Sequence, residues 1–78
     1  MIPITSAKTL GSALRKRRKS LGLTQIEAGQ IFNIPQKTVS RTESGIASMD
    51  TLFKYMSALG LEMHLEPRDK SNAKKGLW

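Results

Sequence analysis

Apolar residues recur along this chain at two spacings, and the spacing changes once. Leu10, Leu14 and Leu21 stand four and seven apart, which predicts a helix from about Ala7 to Leu21 with those leucines facing a core. Ser6 suits its N-cap and Gly22 the position just past its end. Thr24 and Glu27 have the spacing of a capping box, so a second helix starts there and runs to about Phe32. Asn33 tolerates the left-handed backbone that turns a chain sharply. Pro35 suits the first turn of a third helix, where its missing N–H is no loss; that helix is expected to reach about Ser44 and stop at Gly45. Ile26 and Ile31 fall outside the apolar stripe of the second helix and are expected at the surface.

Ser48 predicts the cap of a fourth helix, with Asp50 in its first turn. Leu52, Phe53, Met56 and Leu59 give that helix an apolar face up to Gly60. The spacing then drops to two. Leu61, Met63 and Leu65 alternate with Glu62, His64 and Glu66, the pattern of a half-buried strand that Pro67 ends. One strand cannot pair its own backbone groups. The N-terminal MIPIT is one candidate partner. The favoured one is the same strand of a second copy, joined antiparallel across a dimer axis, with Leu61, Met63 and Leu65 as dimerisation residues. The chain therefore divides into an N-terminal arm (1–5), a helical body (6–60), a dimerisation strand (61–67) and a flexible polar tail (68–78).

With 78 residues, the chain is one small domain with a modest core and no room for an enclosed cleft. Dimerisation is a natural supplement to so small a core. It has no cysteine, hence neither disulfides nor thiolate metal sites. His64 is the sole histidine. Set between Glu62 and Glu66 on an exposed strand face, it reads as a surface residue, and no metal site is assigned. No nucleophile–base pair or glycine-rich phosphate loop is present, so neither an enzyme nor a cofactor is expected. The chain shows no bilayer-length apolar run and no signal peptide, which points to the cytoplasm.

The formal charge of +7 is unevenly placed. Residues 1–23 contain Lys8, Arg15, Lys16, Arg17, Arg18 and Lys19 and no acid, whereas residues 24–61 balance. A surface this basic favours polyanions. Two short helices joined by a tight turn are the arrangement of a helix-turn-helix. On the third helix Val39 would pack inward, with Ile34 just before it. Gln36, Lys37, Ser40 and Arg41 would project together on the other side. Each of these four types reaches a base edge in the major groove: Gln to adenine, Lys and Arg to guanine, Ser to several bases.

The segments RRKSLGLTQIEA and NIPQKTVSRTESG resemble the Xre family, whose domain is shared with the lambda repressor and Cro. Leu23-Thr24-Gln25, Glu27, Ile34, Val39, Ser40, Glu43 and Gly45 match the family pattern, and the resemblance covers about residues 7 to 60. It implies an all-α, lambda-repressor-like helix-turn-helix bundle of four to five short helices, here followed by the C-terminal strand. It also implies that Gln25 holds a phosphate and supports Gln36. By the same resemblance Gln36, Lys37, Ser40 and Arg41 read bases, Thr38 contacts backbone, and Arg18 and Glu43 form a buried structural ion pair. Departures from the pattern are Ala28-Gly29 on the second helix, Asn33 at the turn and Thr42 in place of a larger apolar residue. A glycine inside a helix costs about 1 kcal/mol relative to alanine, so Gly29 is expected to thin and weaken that helix.

MDTLFKYMSALGLEMHLEP and the ending KKGLW are similar to the HipB-like antitoxins. That resemblance implies a strand-paired homodimer on a pseudo-palindromic operator, a HipA-like serine/threonine kinase toxin as partner, and repression of its own operon. Trp78 is a candidate partner anchor; the alternatives are an inert end or a degradation signal. Two rival functions stand beside this one. They are a stand-alone phage-type repressor without a toxin, and a protein-interaction module on a helix-turn-helix scaffold.

Overall fold

The computed structural model describes residues 3–68; Trp78 and most of the tail lie outside them. Four helices follow one another: α1 (Ala7–Ser20), α2 (Gln25–Gln30), α3 (Gln36–Glu43) and α4 (Met49–Ala58). Their starts are set by local hydrogen bonds. The Ser6 hydroxyl accepts from the amide of Thr9, and the Thr9 hydroxyl accepts from the Ser6 amide. At α2 Thr24 and Glu27 exchange the same pair of bonds, at 3.1 and 2.8 Å. Ser48 caps α4 by accepting from the Thr51 amide. Each bond satisfies a donor that a helix start otherwise leaves unpaired.

Pro35 sits one position earlier than its sequence suggests. It is the N-cap of α3, in extended conformation, and Gln36 is the first helical residue. Asn33 carries a φ of 57°, the left-handed turn between α2 and α3.

Leu14, Ala28, Ile34, Val39, Tyr55, Met56 and Leu59 form the core, with Leu10, Leu23, Leu52, Ala58 and Leu61 packed against it. α3 packs against α2 and α1, and α4 packs on both α2 and α3. The α1–α3 crossing is close because Gly11 has no side chain: a Cβ there would run into the Glu43 carbonyl.

Two residues read as core from spacing alone lie outside it. Leu21 is 43% exposed and Phe53 45% exposed. Arg18 and Gly11 instead complete the inward face of α1, and Tyr55 that of α4. The true stripes are each rotated by part of a turn, because a buried polar group occupies the place an apolar residue would take. Gly29 is likewise no weak point: its bare backbone admits the carbonyl of Ile34.

Residues 61–68 form no strand within the described chain. Leu61 leans on the core, Met63 is exposed, and Leu65 is 89% exposed. A ladder needs a second strand, and residues 3–5 do not supply one. Among the described residues no helix is long and apolar enough to cross a membrane.

Candidate nucleic-acid interface

On α3 the side chains separate cleanly by face. Val39, Thr42 and Glu43 are buried, whereas Gln36, Lys37, Ser40 and Arg41 are exposed. At 3.6 residues per turn, those four span roughly 140° of the helix surface. Among the described residues no carboxylate pairs with Lys37 or Arg41. Thr38 is half-buried at the edge of the same face, and its carbonyl accepts from the Thr42 hydroxyl at 2.8 Å. That bond explains how a threonine stands at a buried position: its polar atom is satisfied within the helix and its methyl packs. The exposed side chains are thus unspent donors and acceptors on a rigid, core-anchored element.

Behind this face lies a single buried carboxylate that ties all four helices together. Glu43 of α3 accepts from Arg18 of α1 twice, Nε to Oε2 at 2.7 Å and Nη2 to Oε1 at 3.1 Å. Tyr55 of α4 donates its hydroxyl to Oε2 at 2.5 Å. Gln25, the first residue of α2, donates from Nε2 to Oε1 at 3.2 Å. Arg18 also donates from Nη1 to the carbonyl of Leu23.

Burial alone would push the Glu43 carboxyl up, but the bonds from Arg18, Tyr55 and Gln25 outweigh it and hold the group below its usual range. The Glu43 hydrogen bond raises Arg18 against its own desolvation. Burial, then the neighbouring carboxylate, pushes the Tyr55 hydroxyl well above its ordinary value. The ion pair is therefore charged at neutral pH and every buried side-chain polar atom in the described chain has a partner.

Gln25 is half-buried and turned to Glu43 rather than to Gln36. Sequence spacing does not reveal Tyr55 as part of this cluster. The signal was available all the same, since a tyrosine on an otherwise apolar helix face requires a partner for its hydroxyl when buried.

The basic residues of α1 divide between two faces. Ser12, Arg15, Lys16 and Lys19 line one open concavity of about 280 Å³. Arg17 turns the other way and donates from Nε to the carbonyl of Leu59 at 3.0 Å, closing the end of α4. A helix that enters a groove works as a protrusion, so a concavity on α1 does not compete with α3 for that role. His64 and Glu62 form an exposed contact at 2.9 Å. Among the described residues no group of three potential metal ligands comes together.

The helix-turn-helix family HTH_3 matches residues 14–65. The putative antitoxin HigA2 of Mycobacterium tuberculosis is 40% identical over an alignment of 58 residues that spans 70% of this chain and 57% of that relative. Among solved structures, a chain of the HipA–HipB–O2–O3 complex superposes with a TM-score of 0.83 at 30% identity, covering 88% of this chain and 100% of the other. The HipB–O4 20mer complex gives the same figures.

Proposed function

This chain belongs to the helix-turn-helix family, as a HipB-like member of its Xre branch, and is an antitoxin-like DNA-binding protein; from that premise we propose that it is the antitoxin of a HipA-like serine/threonine kinase and represses its own operon as a cytoplasmic homodimer. Its helix-turn-helix family and its HipB-like neighbours are regulators rather than enzymes. The observation that carries the DNA half is the exposed, unpaired quartet Gln36, Lys37, Ser40 and Arg41 on a core-anchored α3. These side chains read base edges in the major groove. Gln25 at the start of α2 and Thr38 at the edge of that face hold phosphates and fix the register.

Leu61, Met63 and Leu65 pair with their counterparts in a second copy. Two α3 helices then enter successive major grooves of a pseudo-palindromic site, about one helical turn apart. Likeness to HipB chains solved with HipA and with an O4 20mer supports both partners.

The test has two arms. Selection of bound duplexes from a random pool at physiological salt enriches a two-fold symmetric site if the reading is right. Steep salt dependence without enrichment would reduce the protein to an electrostatic binder. Purification of the native protein recovers a kinase whose autophosphorylation is detectable. A co-purifying partner with no kinase activity would overturn the kinase half of the reading.

A further inference from the structure

Glu43 offers about four lone-pair sites, and all of them are taken. Oε2 is shared by Arg18 and Tyr55, Oε1 by Arg18 and Gln25. Three members of this cluster are buried: Arg18, Glu43 and Tyr55. Gln25 alone is half-exposed, so it is the member free to move.

A primary amide is planar, and fixing one of its N–H bonds fixes the direction of the other. With one N–H of Gln25 held on Oε1, the second projects from the start of α2 in a set direction. We propose that Tyr55 is a positioning residue for DNA binding: by filling Oε2 it leaves Oε1 to Gln25 and so aims the free Gln25 N–H at the DNA backbone. This rests on the reading of Gln25 as a phosphate contact.

The physical reason is the carboxylate's need for donors in a buried place. Without the Tyr55 hydroxyl, Oε2 keeps one donor where it had two, and leaving a buried acceptor site empty is costly. Arg18 cannot move to fill it, because its Nη1 is committed to the Leu23 carbonyl at 2.9 Å. The carboxylate then turns toward the one adaptable donor, and Gln25 is drawn with it. Tyr55 is 0% exposed, so phenylalanine keeps the ring in place and removes only the hydroxyl.

A purely structural tyrosine would also lower stability when changed, so stability does not discriminate. A double-mutant cycle in DNA affinity does. The selected operator duplex is titrated with the full chain, with Gln25→Ala, with Tyr55→Phe and with the double variant, at a temperature where circular dichroism shows each one folded.

Gln25→Ala and Tyr55→Phe each weaken binding roughly threefold to tenfold, the scale of one lost hydrogen bond, and across all sequences alike. In the Gln25→Ala background Tyr55→Phe costs less than about twofold. Equal losses in both backgrounds overturn the proposal and leave Tyr55 a structural residue. Wild-type affinity in Gln25→Ala identifies the phosphate reading itself as what failed.

Should Tyr55→Phe not fold, the wild-type protein still decides. One Nε2 proton of Gln25 exchanges more slowly than in a free glutamine amide. Exchange of both at the free rate overturns the proposal.

Discussion

Gly29 and Ile34 are locked together by two features of one turn. The Ile34 amide donates to the Gly29 carbonyl at 2.8 Å, and the Ile34 carbonyl occupies the place where a Cβ on residue 29 would stand. The chain can therefore fold back from α2 into α3 only with glycine at 29. Gly29→Ala gains about 1 kcal/mol of helix propensity but forces apart backbone that has no flexible end to give. Overpacking of this kind costs about 1–3 kcal/mol, so the variant is expected to be less stable than the wild type. Urea midpoints check this: a midpoint equal to or above that of the wild type would show that the turn tolerates a methyl group.

The Arg18–Glu43 pair predicts an asymmetry between single and double changes. Arg18→Met strands a buried carboxylate, and breaking a buried pair from one side costs about 3–5 kcal/mol. Arg18→Met with Glu43→Leu removes both charges and is expected to recover a large part of that loss. Chemical denaturation of the three proteins measures it. A double variant as unstable as the single would mean that the loss comes from packing of the Arg18 stem rather than from the stranded charge.

The same cluster fixes how stability depends on pH. Glu43 is held below its usual range in the folded chain, so its contribution is present above the unfolded value of about 4.3 and is lost as pH falls through the folded value. Glu27, held low by the Thr24 amide and then the Thr24 hydroxyl, acts in the same sense. Tyr55 is displaced upward, so its contribution is full below about pH 10 and declines as pH rises beyond it. Stability is thus expected to be flat between these limits and to fall on both sides. Tyr55→Phe should flatten the alkaline limb in denaturant midpoints taken across pH. An alkaline limb unchanged in that variant would assign it to other groups.

The sequence showed most of this architecture because its punctuation is local. Ser6, Thr24, Asn33, Ser48 and the glycines act through bonds and dihedrals within a few residues, and α1 to α4 begin and end within a residue or two of their signals. Facing was less legible. Leu21 and Phe53 fit an apolar stripe by spacing, yet the inward places belong to Arg18, whose burial only the family resemblance implies, and to Tyr55; both depend on a carboxylate, 25 and 12 residues away. Gly29 reads as a weak point for the same reason, since its steric partner is the backbone of the next element. The exposed quartet on α3 was readable, because a helix face with no apolar residue has nowhere to go but outward. The alternation of residues 61–67 reads as a strand, a pattern that describes one side of a ladder whose other side the described residues do not supply.

Replacing single members of the α3 quartet should alter which DNA is chosen more than whether DNA is bound. Lys37→Ala and Arg41→Ala are each expected to cost about 1–3 kcal/mol on the preferred site and to relax choice at particular base pairs. Lys54, equally cationic and exposed on α4, is the control: Lys54→Ala should leave the base preferences of the selected pool intact. Identical pools from Arg41→Ala and the wild type would remove Arg41 from the reading face.

The strand-pairing reading makes its own demand, and Leu65 is the residue to probe. Leu61 packs against the core, so changing it would confuse folding with assembly. Leu65 at 89% exposure makes next to no contact within its own chain, and a lysine there costs the folded monomer nothing by burial. If two copies join through residues 61–67, Leu65→Lys places two like charges at the shared ribbon and shifts the protein toward monomer. Sedimentation equilibrium should show this, with helical content and urea midpoint extrapolated to the monomer unchanged. Operator affinity should drop by about 10²-fold or more, because linkage of two half-sites supplies that much effective concentration. Affinity for a single half-site should stay the same, and the salt dependence on the full site should fall to about half as the second set of phosphate contacts is lost. A Leu65→Lys protein that still sediments as a dimer and binds the full operator as tightly would move the dimer contact off this segment and onto the helical body.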